Sequence, residues 1–181
     1  MDLDTTRVLG NVFESQQNRE NHLIWNEGLP TQDGWDCLYK RFTTVVSVQE
    51  GSHKAKNNAG LLFNYTNQSN FWVAVLDLDE KKTFCVRRKR AGQWELHDEV
   101  EVTTLTPGNS YKIEVEVLPL DTASSTYGFV TVRLTGLDDN ISQELSGITL
   151  PDFMPGTGYV GFYSNRSESW FEDLLVEHYS P

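Results

Sequence analysis

Four side chains in the middle of the chain have the chemistry to bind a polar ligand. Asn64, Trp72, Arg87 and Lys89 each belong to a set of alternate residues that we interpret as the outer side of a strand. Side chains two apart on a strand share one side of the sheet. An aromatic ring stacks on a sugar, while amide and guanidinium groups hydrogen-bond to its hydroxyls. The pattern predicts a carbohydrate-binding face, with a core position for Trp72 as the alternative.

A second candidate group lies near the C-terminus. Tyr163, Asn165, Arg166 and Trp170 combine two aromatic rings with an amide and a guanidinium in one short stretch. The same chemistry applies to this group as to the first. The alternative is again that the tryptophan packs in the core, because tryptophan is highly buried on average.

Acidic residues at predicted turns are candidates for binding a cation. Asp77, Asp79, Asp138 and Asp139 are the weak candidates for metal ligands. Calcium takes six to eight oxygen ligands, and none of these residues has EF-hand spacing. Polar turn residues are the simpler interpretation. Any calcium bound here is expected to be structural.

The sequence carries no catalytic motif that we recognise. Glycosidases use two carboxylates on either side of the scissile bond, and Glu114 with Glu116 is the nearest approach. Both residues alternate with Ile113 and Val115 and are predicted to lie on the solvated side of a strand. The histidines are isolated in the sequence, at His22, His53, His97 and His178. The protein is therefore predicted to be noncatalytic.

The segments that must position these residues have the alternating pattern of β-strands. Three of them span Ala59 to Arg90, and Tyr111 to Val117 alternates apolar with charged residues. No window keeps a helical apolar period over three turns. Many short strands separated by polar turns predict an all-β fold, a two-sheet antiparallel sandwich.

Composition limits the possible functions. The chain of 181 residues is predicted to form one domain, residues 1–181, with a weakly patterned N-terminal segment, residues 1–22. A net charge of −11 argues against a nucleic-acid partner. We find no apolar run long enough for a membrane span and no signal-peptide pattern. The protein is expected to act where it is made or to be a module of a larger protein. Cys37 and Cys85 are interpreted as buried thiols, with a disulfide as the alternative.

Several sequence motifs together resemble the concanavalin A-like, laminin G-like jelly-roll domains. These motifs are Ala-Gly-Leu-Leu-Phe-Asn-Tyr, Asn-Phe-Trp-Val-Ala-Val-Leu-Asp, Leu-Thr-Pro-Gly-Asn-Ser-Tyr and Gly-Tyr-Val-Gly-Phe-Tyr-Ser. The similarity covers residues 35–178. Within the superfamily it is similar to levan-type carbohydrate-binding modules, 3-keto-disaccharide hydrolase domains and the thrombospondin C-terminal domain. The resemblance implies a jelly roll that binds saccharide or protein on its concave sheet, often with calcium, in an extracellular or cell-surface protein.

The hypothesis from the sequence is a lectin-like or adhesion module that binds carbohydrate on the outer face of the sheet formed by Ala59 to Arg90. The first alternative is a glycoside-processing enzyme of the 3-keto-disaccharide hydrolase type. The second is a structural or protein-interaction domain. Fold alone does not decide among them.

Overall fold

The computed structural model describes residues 3–8, 20–25, 39–48, 58–78, 81–119, 127–151, 159–165, 167 and 169–179. The strands in this part of the chain are β1 (Leu3–Val8), β2 (Glu20–Trp25), β3 (Tyr39–Val48), β4 (Asn58–Asn67), β5 (Asn70–Asp77), β6 (Thr83–Arg90), β7 (Gln93–Glu101), β8 (Ser110–Pro119), β9 (Tyr127–Gly136), β10 (Ser142–Pro151), β11 (Tyr159–Asn165) and β12 (Ser169–Tyr179). Within these residues, no helix has the length and apolar character needed to cross a membrane.

The strands form two six-stranded antiparallel sheets. Sheet I has the order β1-β12-β3-β8-β9-β10, and sheet II has the order β2-β11-β4-β5-β6-β7. Neighbouring strands that are far apart in sequence, such as β3 and β8 or β4 and β11, show the crossovers of a jelly roll. The predicted all-β fold class, a two-sheet antiparallel jelly-roll sandwich, is confirmed.

The main core lies between the two sheets and follows from the alternation of the strands. On β8 the residues Tyr111, Ile113, Val115 and Val117 are buried, and the intervening residues are not. The same pattern holds for β3 and β9. Valine is the most frequent residue in this core, in keeping with the good packing of β-branched side chains on a pleated surface. One face of sheet I is thereby buried and its outer face is left polar.

The outer face of sheet I carries a network of ion pairs. Arg133 contacts Glu114 at 2.8 Å, Glu116 at 2.6 Å and Glu144 at 2.8 Å. Arg41 lies 3.5 Å from Glu116 and 3.8 Å from Glu114. The two carboxylates nearest to a catalytic pair in the sequence are therefore engaged by arginines on a partly exposed sheet face.

The orientation of β5 is the reverse of the prediction. Trp72 is only 2% exposed and belongs to the main core between the sheets, where its ring lies 6.2 Å from that of Phe63. Phe71, Val73 and Val75 point to the other side of sheet II instead. Both alternate sets of β5 are apolar, so alternation alone cannot tell which one faces the second sheet. The predicted outward position of Trp72 is wrong.

Candidate functional site

The outer face of sheet II, the face turned away from sheet I, carries a second apolar cluster. Its buried members all come from this sheet: Leu62, Phe71, Val73, Val75, Cys85 and Tyr163. Ile24 and Tyr65 pack against them as partly buried residues. A binding surface is expected to be lined mainly by apolar side chains, and this face has an apolar cluster that is separate from the main core.

A tight hairpin places two of the more accessible groups on this face. β6 and β7 are joined by Ala91 and Gly92, which have φ values of 48° and 81°. Two residues with positive φ are typical of a type I′ turn, which fixes the strand register. Lys89 therefore pairs directly with Trp94. Asn70 holds the turn in place, because its Oδ1 accepts a hydrogen bond from the Ala91 N–H at 3.1 Å.

Five rings from five strands meet on this face and form what we call the aromatic cluster: His22, Tyr65, Phe71, Trp94 and Tyr163. Phe71 is its centre, with ring centroids 4.8 Å from His22, 5.4 Å from Trp94 and 5.8 Å from Tyr65. The contacts with His22 and Trp94 are edge-to-face, a preferred geometry for aromatic pairs. The cluster holds the Trp94 ring in one orientation.

Trp94 is the most exposed ring of the aromatic cluster, at 41%. Lys89 Nζ lies 5.4 Å from its ring centroid and 5.6 Å from that of Phe71. A lysine ammonium at this distance is attracted by the negative faces of the rings. The pair combines an accessible aromatic face with a hydrogen-bond donor, the combination used to bind a sugar ring and its hydroxyls.

A polar row lies beside the aromatic cluster on the same face. Asp77 Oδ2 accepts hydrogen bonds from Arg87 Nη2 at 2.8 Å and from Asn58 Nδ2 at 3.0 Å. Burial alone would lower the pKa of the Arg87 guanidinium, yet the neighbouring Cys85 and Asp77 outweigh burial and raise it. Arg87 therefore stays charged, and its charge is balanced by Asp77.

Asn58 is anchored by Ser167, which follows the end of β11. The Ser167 hydroxyl donates a 2.9 Å hydrogen bond to the Asn58 carbonyl oxygen and lies 2.7 Å from the Ser169 hydroxyl. All three residues are buried. Buried hydroxyl networks of this kind order the backbone to which they bind. The start of β4, and with it the Asn58 side chain, is therefore held in place.

The first predicted group is only partly brought together. Arg87 and Lys89 lie on the outer face of sheet II, whereas Trp72 lies in the main core with Arg88 5.2 Å from its ring. Asn64 is half-buried in the irregular end of β4, where the register shifts and its φ is 49°. Asparagine tolerates this backbone conformation better than most residues.

The second predicted group is divided between the two sides of the sandwich. Tyr163 belongs to the aromatic cluster of sheet II, and Asn165 is half-buried at the end of the same strand, paired with Asn58. Trp170 is 40% exposed on β12, opposite Ser47 on the outer face of sheet I. Arg166 lies outside the described residues. Tyr163 lies on β11 in sheet II, and Trp170 lies on β12 in sheet I.

The acidic candidates for metal binding have protein partners. Asp77 binds Arg87 and Asn58, as described above. Asp138 Oδ2 accepts from the Ser110 N–H at 2.7 Å, and Asp139 Oδ1 accepts from the Ile141 N–H at 3.1 Å, so both stabilise the β9–β10 turn. Asp79 lies outside the described residues. In the part of the chain that the structure describes, no three His, Cys, Asp or Glu side chains are grouped as metal ligands. Structural calcium stays a prediction.

Cys85 is a free, buried thiol on the floor of this face. Burial raises its pKa to about 12, although the nearby Arg87 acts in the opposite direction. The interpretation of Cys85 as a buried apolar side chain is therefore confirmed. Cys37 lies outside the described residues.

Sequence reasoning missed Trp94, His22 and Phe71 as members of this face. For Trp94 a signal was present, because a two-residue turn at Ala91 and Gly92 would have paired it with Lys89. For His22 no local signal exists. It reaches the cluster only because β2 pairs with β11, which follows it by more than a hundred residues in the sequence.

No protein-family model matches the chain, and the search of curated proteins finds no match. Solved structures with the same fold are found. The carbohydrate-binding module CBM66 from Bacillus subtilis aligns over 96% of this chain and 94% of its own, with 13% identity and a TM-score of 0.60. Lectin II from Ulex europaeus aligns over 98% and 91%, with 12% identity and a TM-score of 0.60.

Enzymes match only in part. The xylan beta-1,4-xylosidase from Bacillus halodurans aligns over 77% of this chain but only 28% of its own, with 11% identity and a TM-score of 0.55. At these identities the likeness concerns the fold. The chain therefore has the concanavalin A-like jelly-roll fold that its sequence motifs resemble, a fold that it shares with lectins and a carbohydrate-binding module.

Proposed function

We propose that this protein binds carbohydrate without catalysis, through the outer face of sheet II. The observation that carries the proposal is Trp94, an accessible ring fixed by the aromatic cluster and flanked by Lys89. A sugar ring can stack on the indole while the ammonium donates to its hydroxyls. The fold likeness to a carbohydrate-binding module and a lectin, over nearly the whole of each chain, supports this proposal.

The noncatalytic character is supported by the partners of Asp77, one of the carboxylates on this face; Glu99, opposite Cys85, is another. Asp77 is hydrogen-bonded to both Arg87 and Asn58. A carboxylate held by a guanidinium and an amide is already engaged as an acceptor, which does not favour a role as general acid. Glu114 and Glu116 are likewise paired with arginines, on the opposite side of the molecule. Solved enzymes also share the fold, but their alignments cover less of each chain than those of the carbohydrate-binding module and the lectin.

Affinity electrophoresis in gels that contain levan, arabinan or xylan would test the proposal. Retardation by at least one of these polysaccharides is expected. Trp94→Ala should weaken binding by about 2 kcal/mol, as for an aromatic hot spot, which is a factor of about 30 in Kd. Trp170→Ala is the matched control, because Trp170 is 40% exposed but lies on sheet I. Equal loss in both variants, or retardation by none of the polysaccharides, would contradict the proposal.

A further inference from the structure

Tyr159, at the start of β11, lies on the same side of sheet II as the aromatic cluster. It pairs directly with Tyr65 in the antiparallel ladder, and residues that pair directly in such a ladder point to the same side of the sheet. Tyr65 packs on the outer face, where its ring lies 5.8 Å from that of Phe71. Tyr159 is 44% exposed, a fraction similar to that of Trp94. It is therefore a second accessible ring on this face.

One row of side chains connects Tyr159 with Trp94 across the strands of sheet II. Phe71 pairs with Lys89, and Lys89 pairs with Trp94. Of the five residues in the row, Phe71 is buried and the other four have accessible surface. The row takes one residue from each of five adjacent strands, in the order Tyr159 (β11), Tyr65 (β4), Phe71 (β5), Lys89 (β6) and Trp94 (β7).

The outer face of sheet II is concave, so that Trp94 and Tyr159 lie on opposite walls of a groove. The rings of Trp94 on β7 and Tyr163 on β11 have centroids 5.9 Å apart, although three strands lie between them. Neighbouring strands are about 4.8 Å apart, so a flat sheet would separate β7 from β11 by about 19 Å. Tyr159 belongs to the same strand as Tyr163 and therefore to the wall opposite Trp94.

The two accessible rings are too far apart for one sugar ring to stack on both. Tyr159 precedes Tyr163 by four residues, which is about 13 Å along an extended strand, whereas Trp94 is in contact with Tyr163. Two residues of a sugar chain can each stack on one of the rings. Lys89 lies between them in the row, where its ammonium can donate to the hydroxyls of the chain.

We infer that Trp94 and Tyr159 are two stacking platforms for one oligosaccharide, which crosses sheet II over Lys89, Phe71 and Tyr65. The inference rests on the proposed function, because it concerns the same face. It adds the form of the ligand, a chain held at more than one of its residues, and it assigns a binding role to Tyr159. Once one residue of the chain is bound, the second contact is intramolecular, so a longer chain gains affinity.

The first test measures how affinity depends on chain length. The probes are the disaccharide, tetrasaccharide and hexasaccharide of whichever polymer among levan, arabinan and xylan retards the protein, and each Kd is measured by isothermal titration calorimetry. The hexasaccharide should bind at least about tenfold more tightly than the disaccharide. An increase no larger than the number of equivalent positions on the longer chain would overturn the inference and leave carbohydrate binding intact.

The second test assigns the additional affinity to Tyr159. Tyr159→Ala should weaken hexasaccharide binding by about tenfold, the loss of one aromatic contact, and leave the disaccharide Kd within about twofold. Tyr159→Phe keeps the ring and should bind both probes as the parent protein does. Trp94→Ala should weaken the binding of both. Phe129→Ala is the matched control, because Phe129 is 39% exposed but lies on the outer face of sheet I.

Thermal unfolding separates a binding effect from a folding effect. Because Tyr159 is half-exposed, Tyr159→Ala should melt within about 4 °C of the parent protein. Unchanged hexasaccharide affinity in Tyr159→Ala, or an equal loss for both probes, would refute the second platform, while a loss in Trp94→Ala would keep the proposed function. A loss in Tyr159→Phe as large as that in Tyr159→Ala would refute stacking at this residue. Retardation by none of the polymers refutes both proposals.

Discussion

Trp72 provides the sharpest test of the structure, because its position contradicts the simplest interpretation of the sequence. The indole is 2% exposed, stacks near Phe63 and contacts His97 at a ring distance of 4.4 Å. Replacing a buried tryptophan with alanine removes its transfer free energy and leaves a cavity, at a cost of about 3–5 kcal/mol. For a domain of this size, each kcal/mol lowers Tm by about 2–4 °C. Trp72→Ala should therefore lower Tm by roughly 6–20 °C.

The assay is thermal unfolding followed by circular dichroism, with Trp94→Ala in parallel. Because Trp94 is 41% exposed, that variant should lose only about 1–2 kcal/mol, mainly its aromatic contacts. Below its Tm, Trp72→Ala should bind polysaccharide as the parent protein does. If Trp72→Ala melts like the parent protein but no longer binds polysaccharide, the indole faces the ligand and β5 has the opposite orientation in the sheet.

Two further predictions concern titrating groups. Because burial raises the pKa of Cys85 to about 12, iodoacetamide at about pH 8 should leave this thiol unmodified in the folded protein and alkylate it in guanidinium chloride; peptide mapping that finds equal alkylation in both states would contradict this. Burial, together with the nearby Arg88, lowers the pKa of His97 from its usual 6.5, although Glu95 opposes the shift. The unfolded chain therefore takes up the proton first, so the contribution of His97 to stability is complete above about pH 6.5 and falls as the pH drops towards its folded-state pKa. Urea unfolding of His97→Gln should show a weaker loss of stability over this interval than the parent protein, and identical pH profiles would refute the assignment.

The polar outer face of sheet I could be predicted from the sequence of its strands. On β8, Lys112, Glu114 and Glu116 identify the wet side, and the opposite set must then face the core. The same holds for β3 and β9. A two-sheet sandwich follows once several such strands are present, because each buried face needs another layer to cover it.

The candidate site could not be predicted in the same way. β5 is apolar on both sides, so its sequence is compatible with either orientation, and the choice depends on which neighbours cover each face. The predicted grouping of Tyr163 with Trp170 was wrong for a different reason. Alternation describes one strand at a time, whereas β11 and β12 belong to different sheets, so residues close in sequence lie on opposite faces of the sandwich.

The β6–β7 hairpin carries two residues of the proposed site, Lys89 and Trp94, in one short segment of the chain. The two turn residues between Lys89 and Trp94 set their pairing, while Asn70 and Phe71 of β5 hold the turn and the Trp94 ring in place. Asn58 and Asp77, in contrast, lie on inner strands whose buried residues are shared with the core. A different aromatic or charged side chain can thus be introduced by substitutions in the β6–β7 hairpin alone. On the proposed carbohydrate-binding face, the hairpin is therefore the part whose side chains can change with the least effect on the core.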